Sequence, residues 1–373
     1  MKCVIIYVCA IFLLTGCKKP YEPRVIKEVN SFLVVEGVIN GTQNSVTTIS
    51  LSRLRKLNDT SYNIPELNAS IRIEEEAGSI FQLRERDSGY YFSGNLTLNA
   101  SKRYRLSITT TDGNRYTSDF SGMLPTPAID SVSWEQNKDV TLYVDSHDPL
   151  NQTHYYRWDF VETWEYHSFF NTIIKYQNDT VVYDLNNPVH VCWQTAKSKE
   201  ILLGSSIALS SDVISHAKIG TIPQNSQKGS ERYSVLVKQY ALSREAYQYW
   251  QILQKTSQQL GTLFDVQPSQ FQGNIHSSSN SSEPVIGYIG ASTVSEKRIF
   301  IDHSSLTDWN EFDGNTCEII GTIQTARDIL HFYFSDGYYS PYYFSGMGSV
   351  TYTRTPCVDC RTQGGTTVRP SFW

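Results

Sequence analysis

Between residues 32 and 120 the chain is divided into short apolar runs, too brief for helices, that recur at roughly ten-residue spacing between turn residues. They read FLVVEGVI (32–39), VTTISL (46–51), SIRIEE (70–75), IFQLRE (80–85), YRLSITT (104–110) and RYTSDF (115–120). Tyr104, Leu106 and Ile108 alternate with polar neighbours, and Thr111-Asp112-Gly113-Asn114 offers a hairpin turn before the next run. A strand sends successive side chains to opposite faces, so this alternation buries one face of a sheet and leaves no helical stripe. The pattern predicts an antiparallel, Ig-like β-sandwich over residues 31–124, closed by the break Leu124-Pro125-Thr126-Pro127.

Residues 128–373 read as a larger β-rich domain. Strands are expected at 131–136, 140–145 and 155–170, then at 284–292, 297–303 and 329–334. The sheet pattern yields once, at 243–260. There Ala246, Tyr249, Trp250, Leu253, Ser257 and Leu260 fall at spacings of three and four, with Ser243 as N-cap and Gly261 as stop. The fold expected is therefore mostly β: an amino-terminal sandwich and a larger β-rich domain with one amphipathic helix. Residues 271–282 read as a polar loop.

The first 17 residues, MKCVIIYVCAIFLLTGC, place a cation before an apolar run too short to span a bilayer. Leu14-Thr15-Gly16-Cys17 resembles the bacterial lipobox, in which small residues precede a cysteine that is acylated and becomes residue one. Residues 1–16 are thus expected to be a signal peptide, Cys17 the lipidation site, and 17–30 a tether. Several acyl chains such as palmitate would hold the protein at a membrane, at about 0.8 kcal/mol per buried methylene.

The formal charge is −5, from 32 Lys and Arg against 37 Asp and Glu, with no block of like charge. Binding to a phosphate backbone needs clustered cations, so nucleic acid is not an expected partner. Of seven cysteines, Cys3 and Cys9 leave with the signal and Cys17 takes the lipid. Cys192, Cys317, Cys357 and Cys360 remain, an even set that in an oxidising compartment implies two disulfides with three possible connectivities. Bridges tying the tail to the body are favoured over a local Cys357–Cys360 loop. A four-cysteine zinc site is the rival, and one lone Cys-x-x-Cys knuckle argues against it.

The sequence lacks the zinc-protease, dinucleotide, P-loop and nucleophile-elbow motifs, so no catalytic residue, metal or cofactor is assigned. His147 and His154 beside Asp145 and Asp148 read as solvated turn residues rather than ligands. Asp308, Asn310 and Asp313-Gly314 hint at a calcium loop, but the oxygen spacing fails at Phe312. A carboxylate pair for glycoside hydrolysis need only meet in space, and nothing in the sequence selects one.

Aromatic residues are in excess: 24 Tyr, 16 Phe and 7 Trp. Tyr156, Trp158, Phe160, Trp164 and Tyr166 share one strand face and are expected in the core, opposite Arg157, Asp159, Thr163 and Glu165. The segment FYFSDGYYSPYYF (332–344) flanks Asp336-Gly337 and Pro341, which places Tyr338, Tyr339, Tyr342 and Tyr343 on a loop as binding candidates. Trp373 is expected to pack as a tail residue, because the runs are too short for a membrane barrel.

The lipobox is followed by Leu33-Val34-Val35-Glu36-Gly37, Gly273-Asn274-Ile275, Gly287-Tyr288-Ile289-Gly290-Ala291-Ser292 and Pro356-Cys357-Val358-Asp359-Cys360-Arg361 before the ending Pro370-Ser371-Phe372-Trp373. This combination resembles the Bacteroidota lipoproteins grouped as domain of unknown function 4249. The resemblance spans nearly the whole mature chain, with the cysteine-bearing ending as its most specific part. It implies an outer-membrane lipoprotein that serves as a non-catalytic binding or accessory subunit of a TonB-dependent uptake system. Its expected partners are the membrane, a TonB-dependent transporter, and a glycan or peptide ligand. The rivals are a surface glycan-active enzyme and a structural envelope protein, and either face of the membrane fits the sequence.

Overall fold

Leu33 and Val35 illustrate how the alternation is used: both are fully buried, while Glu36 in the same strand is exposed. The computed structural model describes residues 32–54, 63–76, 78–186, 188–258, 273–281, 283–310, 317–346 and 348–373. The signal segment, Cys17, the tether, Asp313 and Gly314 lie outside them.

Among the described residues the amino-terminal strands belong to one 13-stranded sheet. Its path begins at Ile39–Asn40 and ends with Phe32–Gly37 and Val285–Ile286. Phe32–Gly37 and Ile39–Asn40 are separated by one residue yet stand near opposite ends of that path, so the sheet curls back on itself. Its opposed halves share one core, in which Ile49, Leu51, Ile71, Ile73, Leu106 and Ile108 join Leu33 and Val35. The mostly β architecture of antiparallel sheets is the one read from the alternation.

The unit is not contiguous in sequence. Residues in the range read as the larger domain return to it: Ile275–Ser277 pairs with Arg115–Ser118, and Val285–Ile286 runs parallel to Phe32–Gly37. Ala291–Ser292 pairs in parallel with both Ile39–Asn40 and Ser121–Leu124. These returning strands cover edges that would otherwise present unpaired backbone.

The glycine and asparagine motifs of this segment now have a physical reason. Gly287 has φ +151°, and a Cβ there would sit 2.3 Å from the Val35 carbonyl oxygen. A Cβ at Gly273 would meet the Gly287 carbonyl at 1.7 Å. The buried Asn274 side chain donates to the Ile289 carbonyl (2.7 Å) and accepts from the Ile289 N–H (2.8 Å), supplying the pairing that a strand would. Asn274→Ala should orphan both backbone groups, at about 1 to 3 kcal/mol each. Urea unfolding checks this, and an unchanged midpoint would make the clasp dispensable.

The central unit is organised around Tyr155–His167, which pairs with Val191–Lys197, Leu202–Ser205 and Arg232–Ala241, the last continuing to Val294–Asp302. A three-stranded sheet of Ile129–Asn137, Asp139–His147 and Val213–Ile222 contributes to the same core. Tyr156, Trp158, Trp164 and Tyr166 are buried there and Phe160 packs at its edge, so the aromatic face is core. Glu162 lies on that face too, buried against Lys228 Nζ (2.5 Å) and the Tyr233 hydroxyl (3.0 Å). Helix α1 (Arg244–Gln258) begins after Ser243, whose Oγ accepts from the Ala246 N–H, and it buries Ala246, Tyr249 and Trp250. Leu260 and Gly261 lie outside the described residues.

A third, smaller core forms among Ile174, Val181, Leu330, Phe334, Val350 and Tyr352. Here the strand expected at 329–334 is instead helix α2 (Arg327–Phe334). Leu330 and Phe334 are 1% and 3% exposed while Phe332 between them is 78% exposed. The run is apolar at spacings of both two and four, so local pattern could not decide; packing of one helical face did.

The four cysteines pair as Cys192–Cys360 and Cys317–Cys357, with Cα–Cα distances of 5.8 and 5.6 Å. Cys192 lies on a strand of the central sheet, so the first bridge carries the tail onto that sheet, while the second ties it to the segment before Gly321–Gln324. Trp193 and Thr366 exchange backbone hydrogen bonds (2.8 and 2.9 Å), and the Tyr166 hydroxyl donates to the Cys360 carbonyl. Trp373 packs edge-on to Phe300 and donates from Nε1 to Glu165 Oε2 at 2.8 Å.

Candidate functional site

Two surfaces have the geometry to bind something. The first is a cleft of about 430 Å³ between the amino-terminal sheet and the outward face of the central sheet. Strand register builds its floor in two rows: Arg157, Tyr240 and Val294, then Asp159, Lys238 and Glu296. In the second row charges alternate across three strands, and Lys238 Nζ meets Glu296 Oε1 at 2.7 Å. In the first, the Arg157 guanidinium lies 4.9 Å from the Tyr240 ring and 4.5 Å from the Trp250 ring of α1. Such stacking holds a planar cation in one orientation. Arg157 Nε is buried without a hydrogen-bond partner, and Nη2 reaches Asp159 at 3.4 Å. Burial, then the Asp159 charge, pushes the Tyr240 hydroxyl well above its ordinary range, so it remains a protonated donor.

Glu36, Thr48, Ser50 and Tyr90 form the opposite wall, where Lys197 Nζ sits 4.8 Å from the Tyr90 ring. Glu36, Glu200 and Glu296 are exposed at the rim. With Asp159 they set four carboxylates against Arg157, Lys197 and Lys238. No sign of charge dominates, which suits a ligand of mixed polarity better than a phosphate or a simple cation. Sequence reasoning separated Arg157 and Asp159 as a polar strand face but missed the cleft, because its other walls come from strands far apart in the chain.

The second surface is aromatic. Of the four tyrosines expected on a loop, Tyr338 lies in the bend after Gly337, whereas Tyr339, Tyr342 and Tyr343 lie within a strand, Tyr339–Gly346, which pairs with Ser349–Arg354 and shifts register after Pro341 and Phe344. The irregularity lets a proline sit in a strand and divides the four candidates. Tyr338 and Tyr343 are 58% and 45% exposed, whereas Tyr339 and Tyr342 are half-buried and Tyr339 packs against Tyr352. Ring contacts of 4.8 to 5.0 Å link Phe169, Phe170, Tyr342 and Tyr343, and Tyr183 meets Phe344 at 5.4 Å. Ile173 and Leu185 extend this exposed apolar face. Phe169, Phe170, Ile173, Tyr183 and Leu185 come from the segment around the hairpin of Ile174–Gln177 and Thr180–Tyr183, which no reading of 332–344 alone could locate.

The histidines near residue 150 do not converge. His147 Nδ1 contacts Asp130 (2.8 Å), His154 faces Ser206 (3.4 Å), and Asp145 accepts from Ser131 Oγ and the His216 N–H. Those two bonds hold the Asp145 carboxyl below its ordinary range. Among the described residues no group of three or more His, Cys, Asp or Glu is arranged to hold a metal ion. No described helix is long and apolar enough to cross a membrane.

No curated protein matches the chain. Among solved structures, a DUF4785 family protein from Legionella pneumophila is similar at 10% identity and TM-score 0.18, covering 56% of this chain and 52% of that one. A cytokine receptor complex is similar at 8% identity and TM-score 0.21, with 74% and 98% covered. The Yersinia pseudotuberculosis adhesin InvE is similar at 13% identity and TM-score 0.16, with 57% and 55% covered. The chain thus spans about half the length of the first and third, and similarity at this level bears on neither fold nor function. The family model for a domain of unknown function, DUF4249, matches residues 18–298 and stops before Cys317 and the tail, so the cysteine-bearing ending is no part of the match. Matched over well more than half of its length, from the tether through most of the central sheet, the chain belongs to the DUF4249 family.

Proposed function

We propose that this chain is an outer-membrane lipoprotein, anchored through Cys17, that serves as a non-catalytic binding or accessory subunit of a TonB-dependent uptake system. The observation carrying this reading is the exposed aromatic face of the small third unit. Monomeric proteins rarely leave a contiguous apolar patch uncovered, and tyrosine and phenylalanine are enriched where proteins meet. Its two parts are joined by hydrogen bonds from Thr172 Oγ1 to the Tyr342 carbonyl (2.8 Å) and from the Phe170 N–H to the carbonyl of the disulfide-bonded Cys357 (2.8 Å). The cleft is the complementary ligand site, and its mixed polarity suits a glycan or a peptide.

A glycan hydrolase is the second reading, favoured by the cleft carboxylates. Glycoside hydrolysis needs an acid kept protonated by burial. Glu36, Glu200 and Glu296 are exposed, and Asp159 lies beside Arg157, so the binding role is the better supported.

The test is affinity purification from detergent-solubilised envelopes of the native cells. The chain should bring down a TonB-dependent transporter, and the triple variant Tyr183→Ala, Tyr343→Ala, Phe344→Ala should lower that yield at least tenfold. Because these side chains are exposed, stability should move by only about 0.5 kcal/mol per site. Tyr339 and Tyr342 are left intact because both are half-buried and Tyr339 packs against the small core. A Cys17→Ser control should lose labelling by a fatty-acid analogue. Absence of a transporter, or an unchanged yield from the triple variant, would remove the docking role.

A further inference from the structure

A separate exposed patch lies on two loops of the central unit. Leu150 is 71% exposed, and Ile207 and Leu209 are each 58% exposed, with Val213 beside them. The loops are held together: the Asp148 N–H donates to the Asp212 carbonyl (3.2 Å), and the Asp212 N–H donates to Asn151 Oδ1 (2.6 Å). Leu209 N–H closes a turn onto the Ser206 carbonyl (2.8 Å).

Charge is sparse on these loops. Residues 149–153 and 201–215 contain one ionisable side chain, Asp212, and it is buried, accepting from the Tyr156 and Ser206 hydroxyls. Asp148 accepts from the Leu150, Gln152 and Thr153 N–H groups, which outweigh its partial burial and hold its carboxyl below the ordinary range. What remains outward is uncharged: aliphatic at Leu150, Ile207, Leu209 and Val213, with Pro149, Asn151, Gln152, Ser210 and Ser211 flanking them in sequence. A protein interface would favour aromatic and arginine anchors, and this patch has neither. Uncharged aliphatic tips among amide and short hydroxyl side chains instead match the boundary between acyl chains and headgroups.

We infer that Leu150, Ile207 and Leu209 dip into a phospholipid bilayer and orient the body on the membrane surface. The proximity this requires rests on the anchored reading proposed above: the 15 residues from Cys17 to Ser31 reach at most about 50 Å when extended. The insertion itself is a property of the loops, and can be tested without the lipid.

The experiment uses unacylated chain of residues 18–373, which retains every described element, with vesicles of phosphatidylethanolamine and phosphatidylglycerol at 3:1. The chain should sediment with the vesicles. Leu150→Asp, Ile207→Asp, Leu209→Asp combined should reduce the bound fraction at least tenfold while keeping the melting temperature. As a second measure, a Leu209→Cys chain carrying a polarity-sensitive fluorophore should shift to the blue on vesicle addition. No sedimentation of the parent chain, equal sedimentation of the triple variant, or an unshifted fluorophore would overturn the inference. So would concentration-dependent dimerisation lost in the triple variant without vesicle binding, which would give the patch to a second copy. Failure here would leave Cys17 acylation and transporter co-purification intact, since neither measurement involves these loops.

Discussion

Replacing Cys192 and Cys360 together by alanine is expected to lower the free energy of unfolding by about 5 kcal/mol, from the loop-closure entropy of a bridge with so long a span. The two residues are 168 apart in sequence, and both are fully buried. The Cys317–Cys357 bridge closes a span of 40 and should be worth about 4 kcal/mol on the same argument. The first loss is also the more consequential for the structure. Cys360 N–H donates to the Val189 carbonyl, and the Tyr166 hydroxyl donates to the Cys360 carbonyl, so freeing the tail exposes a surface of the central core. Urea unfolding of each double variant gives the magnitudes, and peptide mapping without reduction checks the pairing. Equal and negligible effects of the two variants would mean that tail packing, rather than the bridges, holds the segment.

Trp158→Ala should cost about 3 to 5 kcal/mol for the buried indole alone. Trp158 is 2% exposed, and its ring fills the space left by the missing side chain of Gly204, where a Cβ would lie 2.3 Å from the indole. The indole Nε1 also donates to Gln239 Oε1 (2.8 Å), while Gln239 Nε2 donates to the Pro127 carbonyl and Ser146 Oγ. Truncation therefore opens a cavity and leaves the Gln239 amide oxygen without its donor, adding about 1 to 3 kcal/mol. Trp158→Phe separates the two effects, since it keeps most of the volume and loses the donor. Chemical denaturation of both variants measures them, and a stable Trp158→Ala would show that the core can collapse around the site.

The cleft and the aromatic face were legible in different degrees. Arg157 and Asp159 stand out as the polar face of an aromatic strand, but Lys238, Glu296 and Glu36 carry no local mark of a site. They meet Arg157 and Asp159 only because Arg232–Ala241 and Val294–Asp302 pair in register beside Tyr155–His167. The tyrosines of 332–344 were visible as an excess, whereas the division into exposed Tyr338 and Tyr343 and half-buried Tyr339 and Tyr342 depends on a register shift after Pro341. Residues 329–334 failed in the opposite way. Their apolar pattern satisfied two periods at once, and a partner core chose the helix.

What the sequence determined by itself is what each segment owes to its own geometry. Alternation at Leu33 and Val35 or Tyr104, Leu106 and Ile108 sets which face of a strand is buried, because the pleat has a period of two whatever lies opposite. The Ser243 cap and the spacing of Ala246, Tyr249 and Trp250 likewise define α1 within one stretch of chain. The tertiary structure decided which strands are neighbours. It brought Ala291–Ser292 between Ile39–Asn40 and Ser121–Leu124, curled the sheet on itself, and selected Cys192–Cys360 and Cys317–Cys357 from three connectivities. Backbone hydrogen bonds are alike from strand to strand, so pairing over such separations is chosen by the burial of whole faces and the fit of cores, which no single segment contains.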